Sequence, residues 1–362
     1  MRSFAKKTIF DVSPYVPGKP IAEVKRELKL KKVIKLASNE NPFGPSLKVR
    51  QAIHQAASDV NRYPDGDCFY LRQVLAKKLK VNPSQLIFGN GSDELIVFAA
   101  RVFLKPQDEV ILAQPSFLIY SIASKLEGAV LKQIPLQGNF SYDLKAFLAA
   151  VTNKTRIIFI GNPDNPSGQY LNDRQLDDFL SSLSKDILVF VDEAYYEYVA
   201  ALDYGKSVEL LKKHSNLFIT RTFSKMFGLA GLRIGYGVAS EELISLLNRV
   251  REPFNVNSIA QAAALAALKD LAYLNKMKQL MKEQRNYLYA QLKQLELDFV
   301  KSWTNFILIH LKKDAKEVSK QLMRKGVIVR DMSGWGLPEY IRITIGAPAE
   351  NKFFIKRLKE II

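Results

Sequence analysis

Residues 220–233 (TRTFSKMFGLAGLR) combine one lysine with hydroxyl side chains and an arginine. A lysine amine forms a Schiff base with an aldehyde, and burial makes that amine neutral and nucleophilic near pH 7. Around Lys225, the side chains of Thr222, Ser224 and Arg233 are donors that suit a phosphate group. Taken alone, the same stretch is also compatible with an ordinary helix start that carries an exposed lysine.

A second stretch with phosphate-binding character lies at residues 86–94 (LIFGNGSDE), which predict a strand, a glycine turn and a helix start. It imitates a dinucleotide-binding fingerprint, but Glu94 stands where the third glycine belongs, so that interpretation fails. A helix N-terminus with free backbone N–H groups remains, with Gly91, Ser92 and Asp93, and it suits a phosphate monoester. Ser92 or Asp93 could equally cap the helix, and the two roles are compatible.

Three further groups follow predicted strands. Phe117 comes just after a strand and could lie flat against a ring, while Asn165 belongs to a rigid amide-bearing turn. Asp192 ends an apolar strand, with the phenol of Tyr195 three residues later. Each has a plain alternative, since Asp192 could cap a turn, Tyr195 could be core and Asn165 could form the turn. Their joint occurrence at strand ends favours a shared site.

Candidate substrate-binding side chains lie near both ends of the chain. Arg330 and Arg342 lie in segments that we expect to be strands, each at a strand end. The planar fork of arginine matches a carboxylate or a phosphate, although a surface ion pair is the alternative for each. Tyr15, between two prolines, is either a packed turn aromatic or a substrate-pocket residue.

The elements that must position these residues alternate between strand and helix patterns. Predicted strands lie at 109–113, 129–135, 156–161, 188–191, 217–221 and 233–238, with helices from 117, 143 and 173. This alternation predicts an α/β fold with a mainly parallel sheet, covered by helices on both faces, and ligands at the carboxyl ends of its strands.

The remaining sequence predicts a second, smaller α+β domain. We expect four parts: an N-terminal arm with part of the small domain at 1–35, a large domain at 36–257, a linking helical region at 258–294, and a C-terminal small domain at 295–362.

Composition excludes several classes of protein. The 362 residues carry 53 basic and 36 acidic side chains, a formal charge of +17, yet the lysines are spread over many helices without a nucleic-acid-binding motif. We therefore expect no nucleic-acid partner and attribute to the charge a role in solubility and in attracting anionic substrates. The single cysteine, Cys68, excludes an internal disulfide and a thiolate metal cluster. Short apolar runs and the absence of a secretion signal predict a cytoplasmic protein without membrane spans.

Taken together, these motifs resemble those of the pyridoxal-phosphate (PLP) aminotransferases of the aspartate aminotransferase fold, over nearly the whole chain. The resemblance implies a seven-stranded-type sheet in the large domain, a small domain built from both chain ends, and PLP as the cofactor. It implies that the cofactor-binding residues are Gly91, Ser92, Asp93, Phe117, Asn165, Asp192, Tyr195, Thr222, Ser224, Lys225 and Arg233, with Tyr63 reaching the site of a second subunit in a homodimer.

The same resemblance implies a role for each group. Lys225 is the Schiff-base lysine, Asp192 faces the pyridine nitrogen, and Tyr195 shares the phenolic oxygen of the cofactor with Asn165. Lys225, Asp192 and Tyr195 are thus the implied catalytic residues. Phe117 occupies the ring-stacking position.

The chain is most similar to the histidinol-phosphate subfamily, which shares its LASNENP, VRD and IRI motifs. This likeness implies transamination between histidinol phosphate and 2-oxoglutarate in histidine biosynthesis, with Tyr15, Asn165, Arg330 and Arg342 on the substrates. The loop around Trp335 is of a kind that varies among relatives, and Trp335 could line the substrate pocket. An aromatic amino acid aminotransferase and a PLP-dependent decarboxylase of O-phospho amino acids remain as alternatives. An aminotransferase-like transcription factor would need a DNA-binding module, for which we expect no room before Leu36.

Overall fold

The computed structural model describes residues 4–14 and 18–362. Within them, the largest sheet has seven strands: β2 (Leu86–Gly89), β3 (Glu109–Gln114), β4 (Val130–Pro135), β5 (Thr155–Gly161), β6 (Leu188–Asp192), β7 (Leu217–Thr222) and β8 (Gly235–Val238). Their order across the sheet is β2-β8-β7-β6-β5-β3-β4. Strand β8 is antiparallel to both of its neighbours, and the other neighbouring pairs are parallel. The predicted α/β class with a mainly parallel sheet is confirmed.

The central strands are apolar on both faces because helices cover both sides of the sheet. Phe159 and Phe190 point into one buried cluster, whereas Ile158 and Val189, their chain neighbours, point into the cluster on the opposite face. Side chains alternate between the two faces with a period of two residues. Polar residues are consequently confined to the strand ends.

A smaller sheet system is built from the two ends of the chain. Its strands are β1 (Ile34–Lys35), β9 (Asp298–Phe299), β10 (Phe306–His310), β11 (Val327–Ile328), β12 (Arg330–Asp331) and β13 (Tyr340–Thr344). In the described part of the chain, β12-β13-β10-β9 form an antiparallel sheet, and β1 pairs in parallel with β11. The pairing of β1 with β11 joins the segment before the large sheet to the C-terminal region.

The α-helices are α1 (Ile21–Leu28), α2 (Leu47–Ala56), α3 (Phe69–Leu79), α4 (Ser92–Phe103), α5 (Leu118–Leu126), α6 (Leu144–Ala149), α7 (Asp173–Ser181), α8 (Ser207–Leu210), α9 (Glu241–Asn248), α10 (Ser258–Lys269), α11 (Leu271–Gln294), α12 (Ala315–Arg324) and α13 (Pro348–Lys359). Several begin at polar caps; for example, the Asn172 side chain accepts from the Gln175 amide at the start of α7. The predicted helical region 258–294 is two helices, because Asp270 leaves the helical conformation (φ −100°, ψ 64°).

Candidate active site

The carboxyl ends of β5, β6 and β7 surround a cavity of about 320 Å³. The smaller sheet and the starts of α4 and α5 complete its walls. Among the sequence-predicted residues, those that line it are Ser92, Asp93, Phe117, Asn165, Asp192, Tyr195, Thr222, Ser224, Lys225, Arg233, Arg330 and Arg342. One cavity therefore collects donors, an amine and carboxylates from distant parts of the chain.

One end of the cavity is a cup of donors at the start of α4. Gly91 has φ +84°, and a Cβ atom there would lie 2.4 Å from Arg233 Nη2. A Cβ atom on Gly235 would lie 2.6 Å from the backbone nitrogen of Ser92. Both glycines thus permit the close approach of backbone and guanidinium that defines the cup. Arg233 Nη2 also lies 3.4 Å from Asp93 Oδ2.

The opposite wall of this cup comes from the turn after β7. The Thr222 hydroxyl donates to Ser224 Oγ over 3.0 Å and accepts from the Ser224 amide over 3.1 Å. Both side chains are buried. Free N–H groups at a helix start, two hydroxyls and an arginine together form a site suited to a phosphate.

Lys225 follows directly in the same turn and is partly buried. Burial, followed by the charge of Arg342, lowers the pKa of its amine to about 8, against the opposing effect of Asp93. The Nζ atom lies 5.8 Å from the centre of the Tyr195 ring. A large fraction of this amine is therefore unprotonated at mildly alkaline pH, as a nucleophile or a general base requires.

Asp192, at the end of β6, is buried, and burial raises the pKa of its carboxyl to about 6. Its Oδ2 accepts from the Tyr120 hydroxyl over 2.8 Å, and its Oδ1 accepts from the Ala194 amide over 3.1 Å. These two donors fix the plane of the carboxylate. A buried carboxylate of this kind gains most from a cationic partner.

Tyr195 lies beside Asp192 with its ring edge against Phe306, 5.2 Å between ring centres. Its hydroxyl accepts from Asn39 Nδ2 over 2.9 Å. Burial raises the pKa of this phenol to about 12, so that it keeps its proton.

Asn165 belongs to a turn that is held by buried hydrogen bonds. Asp164 Oδ2 accepts from the Ser167 amide over 3.0 Å and from its hydroxyl over 2.7 Å, and the Tyr142 hydroxyl donates to Asp164 Oδ1. Arg342 donates through Nη1 to Asn165 Oδ1. The Asn165 side chain is thus positioned from two directions, because its turn follows β5 of the large sheet and Arg342 belongs to β13 of the small sheet.

The two predicted arginines face the same cavity. Arg330 begins β12 and pairs in register with Arg342. Arg342 lies in the middle of β13, so its predicted position at a strand end is wrong; the strand continues because residues 340–344 pair with all of β10. The guanidinium of Arg342 lies 5.1 Å from the Phe306 ring centre, and that of Arg330 lies 5.6 Å from the Trp335 ring centre.

A buried ion pair supports the strand ends beneath the site. Arg221 Nε donates to Glu193 Oε2 over 2.8 Å, and its guanidinium lies 3.4 Å above the Tyr196 ring. Glu193 follows Asp192 and Arg221 precedes Thr222. The pair therefore ties the ends of β6 and β7 together.

Gly91 and Tyr63 are not among the lining residues of this cavity in the single chain. Tyr63 is 83% exposed and stacks on Phe254, with 4.8 Å between ring centres. Tyr15 lies outside the described residues, so its predicted role at the substrate pocket stays a prediction.

Sequence reasoning missed Asn39 and Tyr120, which contact Tyr195 and Asp192. The LASNENP motif was a usable signal for Asn39. The signal for Tyr120 was weaker. This residue follows Phe117 by three positions, a spacing that places two side chains on the same face of a helix.

The family model for aminotransferase class I and II matches residues 31–358. This chain belongs to that family. Histidinol-phosphate aminotransferases of Caldicellulosiruptor saccharolyticus and Moorella thermoacetica are each 47% identical to it, over 357 and 358 residues. The alignments cover 99% of this chain in both cases, and 99% and 92% of the two relatives.

Solved structures give the same result. The histidinol-phosphate aminotransferase of Sinorhizobium meliloti, in complex with pyridoxal-5'-phosphate, superimposes with a TM-score of 0.91 at 27% identity, covering 99% of both chains. The aspartate aminotransferase of Thermus thermophilus with maleate has a TM-score of 0.86 at 20% identity and shares the fold, over 99% of both chains. The predicted PLP-transferase fold is confirmed.

Proposed function

We propose that this chain is a PLP-dependent transaminase that exchanges an amino group between histidinol phosphate and 2-oxoglutarate, giving imidazole-acetol phosphate and glutamate in histidine biosynthesis. The observation that carries the proposal is one cavity that is lined both by Lys225 and Asp192 and by two register-paired arginines, Arg330 and Arg342. The identity of 47% to named histidinol-phosphate aminotransferases, over nearly the whole chain, supports the choice of substrate.

The residues present fit PLP. The cup of Ser92, Thr222, Ser224 and Arg233, with the glycine-permitted approach of Gly91, suits its phosphate. Other residues that line the cavity would hold the remaining groups of PLP: Lys225 would bind the aldehyde, Asp192 would face the pyridine nitrogen, Tyr195 and Asn165 would bind the phenolic oxygen, and Phe117 would stack on the ring.

A structural feature of the protein itself supports this fit. Burial has raised the pKa of Asp192 to about 6, which is costly for a carboxylate unless a cation faces it. A protonated pyridine nitrogen is such a cation. When bound, PLP supplies an electron sink for the carbanion formed at the amino carbon of the substrate.

The protein contributes proton transfer and positioning. The Lys225 amine takes the proton from the substrate Cα, a general-base contribution typically worth about 10²–10⁴-fold in rate. Asp192 keeps the proton on the pyridine nitrogen. Arg342 binds the carboxylate of glutamate and, together with Arg330, the phosphate of the other substrate; Tyr15 remains a predicted third contact.

A donor–acceptor panel on the purified protein with PLP tests the proposal. We expect glutamate to form from histidinol phosphate and 2-oxoglutarate, with phenylalanine a much poorer donor. Faster turnover of phenylalanine would assign an aromatic aminotransferase instead, and release of carbon dioxide from an O-phospho amino acid would assign a decarboxylase.

The Arg330→Ala variant tests the substrate choice on the same panel. Each ionic hydrogen bond contributes roughly 1.5–3 kcal/mol, so kcat/KM for histidinol phosphate should fall at least about tenfold. Cofactor affinity should change little. Unchanged activity toward the phosphorylated donor would remove the main support for that substrate.

We also propose a homodimer in which Tyr63 reaches the cofactor phosphate of the partner subunit. Tyr63 stacks on the exposed Phe254, and Phe69 and Tyr70 form a second exposed aromatic pair. Exposed apolar side chains of this kind favour contact with another chain. No helix in residues 4–14 and 18–362 is long and apolar enough to cross a membrane. A cytoplasmic location stays a prediction.

A further inference from the structure

Tyr120 is a fully packed phenol on the inner side of α5. Its ring is stacked on Phe159, with 4.7 Å between ring centres and 4° between planes, and meets Phe117 edge-on at 5.5 Å. The side chain is 2% exposed. The ring is therefore held in one orientation by aromatic neighbours on two sides.

This orientation delivers the Tyr120 hydroxyl to Asp192 Oδ2 at 2.8 Å, across 72 residues of sequence. The other oxygen of Asp192 is taken by the Ala194 amide. One donor thus comes from the strand end itself, and the second comes from a different element. Loss of the Tyr120 hydroxyl would leave the carboxylate oriented from one side only.

We propose that Tyr120 is a positioning residue that aims the Asp192 carboxylate and stabilises its ionised form, so that Asp192 can hold the proton on the pyridine nitrogen of PLP. The inference rests on the proposed function for its link to the cofactor. The contact between Tyr120 and Asp192 belongs to the protein alone.

The physical reason is that two opposing effects act on Asp192. Burial disfavours its charged form, whereas a hydrogen bond donated to the carboxylate favours that form. Burial, followed by the charge of Asp192, raises the pKa of Tyr120 well above its ordinary value, so the phenol remains protonated and remains a donor. The phenol is therefore a donor wherever Asp192 is ionised.

The titratable and charged groups that face Asp192 from the packed elements are Asp93, Tyr120, Tyr142, Tyr195 and Lys225. Asp93 raises the pKa of Asp192, and Lys225 lowers it. Replacing Tyr120 by phenylalanine changes none of these charges and keeps the ring. Its effect on Asp192 is thus that of one hydrogen bond.

Tyr120 also links two functions of the cofactor pocket. Phe117, the predicted ring-stacking residue, immediately precedes α5, and Tyr120 lies in the first turn of that helix. The start of α5 therefore positions both the face that the cofactor ring would contact and the carboxylate that its nitrogen would meet.

Comparing Tyr120→Phe with Tyr170→Phe tests the inference. Tyr170 donates to Asp203 Oδ1 over the same 2.8 Å, but on the surface, and it is not a lining residue of the cavity. The first readout is the pKa of Asp192 in cofactor-free protein, from carboxyl-carbon NMR titration with the signal assigned through Asp192→Asn. We expect Tyr120→Phe to raise this pKa by about one pH unit, and Tyr170→Phe to leave it unchanged.

The second readout uses the PLP-loaded enzyme. We expect Tyr120→Phe to lower kcat about tenfold with little change in KM for 2-oxoglutarate, because Asp192 acts on the cofactor and not on substrate binding. In the Asp192→Asn background, the same substitution should have no further effect on kcat. If Tyr120 had a purely structural role, Tyr120→Phe would instead lower the stability of the protein and leave the pKa of Asp192 unchanged.

An Asp192 pKa in Tyr120→Phe equal to that of the unaltered protein would overturn the inference. Should Tyr120→Phe fail to fold, a fluorinated tyrosine at position 120 keeps the packing and strengthens the donor. It should lower the pKa of Asp192, and a pKa that stayed the same or rose would also overturn the inference. Failure of the unaltered protein to bind PLP would contradict the proposed function. The titration of cofactor-free protein would still show whether Tyr120 stabilises the ionised form of Asp192.

Discussion

Lys225 illustrates how a few neighbouring charges set reactivity at the scale of one residue. Burial is the main reason that the pKa of its amine falls to about 8, and Arg342 adds to this effect. A depressed lysine pKa means that the neutral amine becomes the major form above that pH. The residue is thus prepared to react before any cofactor arrives.

The rate at which cofactor-free protein attaches PLP should therefore rise with pH, with a midpoint near 8. Arg342→Gln removes a positive charge, so the pKa of Lys225 should rise and the midpoint should move to higher pH. Short pulses with PLP at each pH, fixed by borohydride and quantified by mass spectrometry, measure the rate. Arg174→Gln, at an exposed position on α7, is the control. The same midpoint in Arg342→Gln and in this control would contradict the account.

Residues at strand ends could be predicted from sequence, whereas cross-element contacts could not. Asp192 follows an apolar run, and Lys225 lies three residues beyond the end of the next strand, so both stand out in the chain. Tyr120 lies inside an apolar helix pattern, where a core role is the natural interpretation. Its partner is identified only by the packing of α5 on the sheet.

At the scale of elements, the close contact of β8 with the start of α4 shapes the phosphate cup. A Cβ atom on Gly235 would meet backbone atoms of Ser92, Gly91 and Arg221 at 2.6 to 3.0 Å. Backbone cannot move aside as a flexible side chain can, so an added methyl group must displace the helix start.

We expect Gly235→Ala to raise the dissociation constant for PLP about tenfold, a loss of about 1.4 kcal/mol. Gly231→Ala is the matched control, because a Cβ atom at that position has no neighbour within 4 Å. Fluorescence titration of both cofactor-free variants measures the effect. Equal affinities in the two variants would mean that the contact between β8 and α4 does not shape the cup.

Element boundaries were predictable where composition changes sharply. The strand predicted at 188–191 is β6 (Leu188–Asp192), and the helix expected from Asp173 begins there. The helix break at Asp270 could not be predicted from the sequence, because the pattern of apolar and basic residues continues on both sides of it. The antiparallel direction of β8 was also hidden, since strand patterns carry no information about which neighbour they pair with.

At the scale of the whole molecule, the single chain leaves Tyr63 exposed, with its ring stacked on the exposed Phe254. If two chains complete each other's sites, sedimentation equilibrium should give about twice the chain mass of 41.0 kDa. Tyr63→Phe should keep that mass and weaken PLP binding, because a phosphate donor is lost. Tyr70→Phe, at another exposed tyrosine (74%), should keep that mass and leave PLP affinity unchanged. A monomer, or unchanged PLP affinity in Tyr63→Phe, would contradict this arrangement.

The meeting of the two chain ends could not be derived from local patterns. The parallel pairing of Ile34 with Val327 brings segments far apart in sequence into one sheet, and only the family resemblance predicted a small domain built from both ends. The proposed domain boundaries at 35, 257 and 294 stay predictions. The sheet order also depends on packing of the whole chain and not on any one segment.

Identification of the lysine that carries PLP tests the central claim most directly. After the PLP-loaded protein is reduced with borohydride and digested with trypsin, Lys225 should resist cleavage. We therefore expect the cofactor mass on a peptide of residues 222–233, between the cleavage sites after Arg221 and Arg233. Label on a different lysine, or no covalent label at all, would contradict the account.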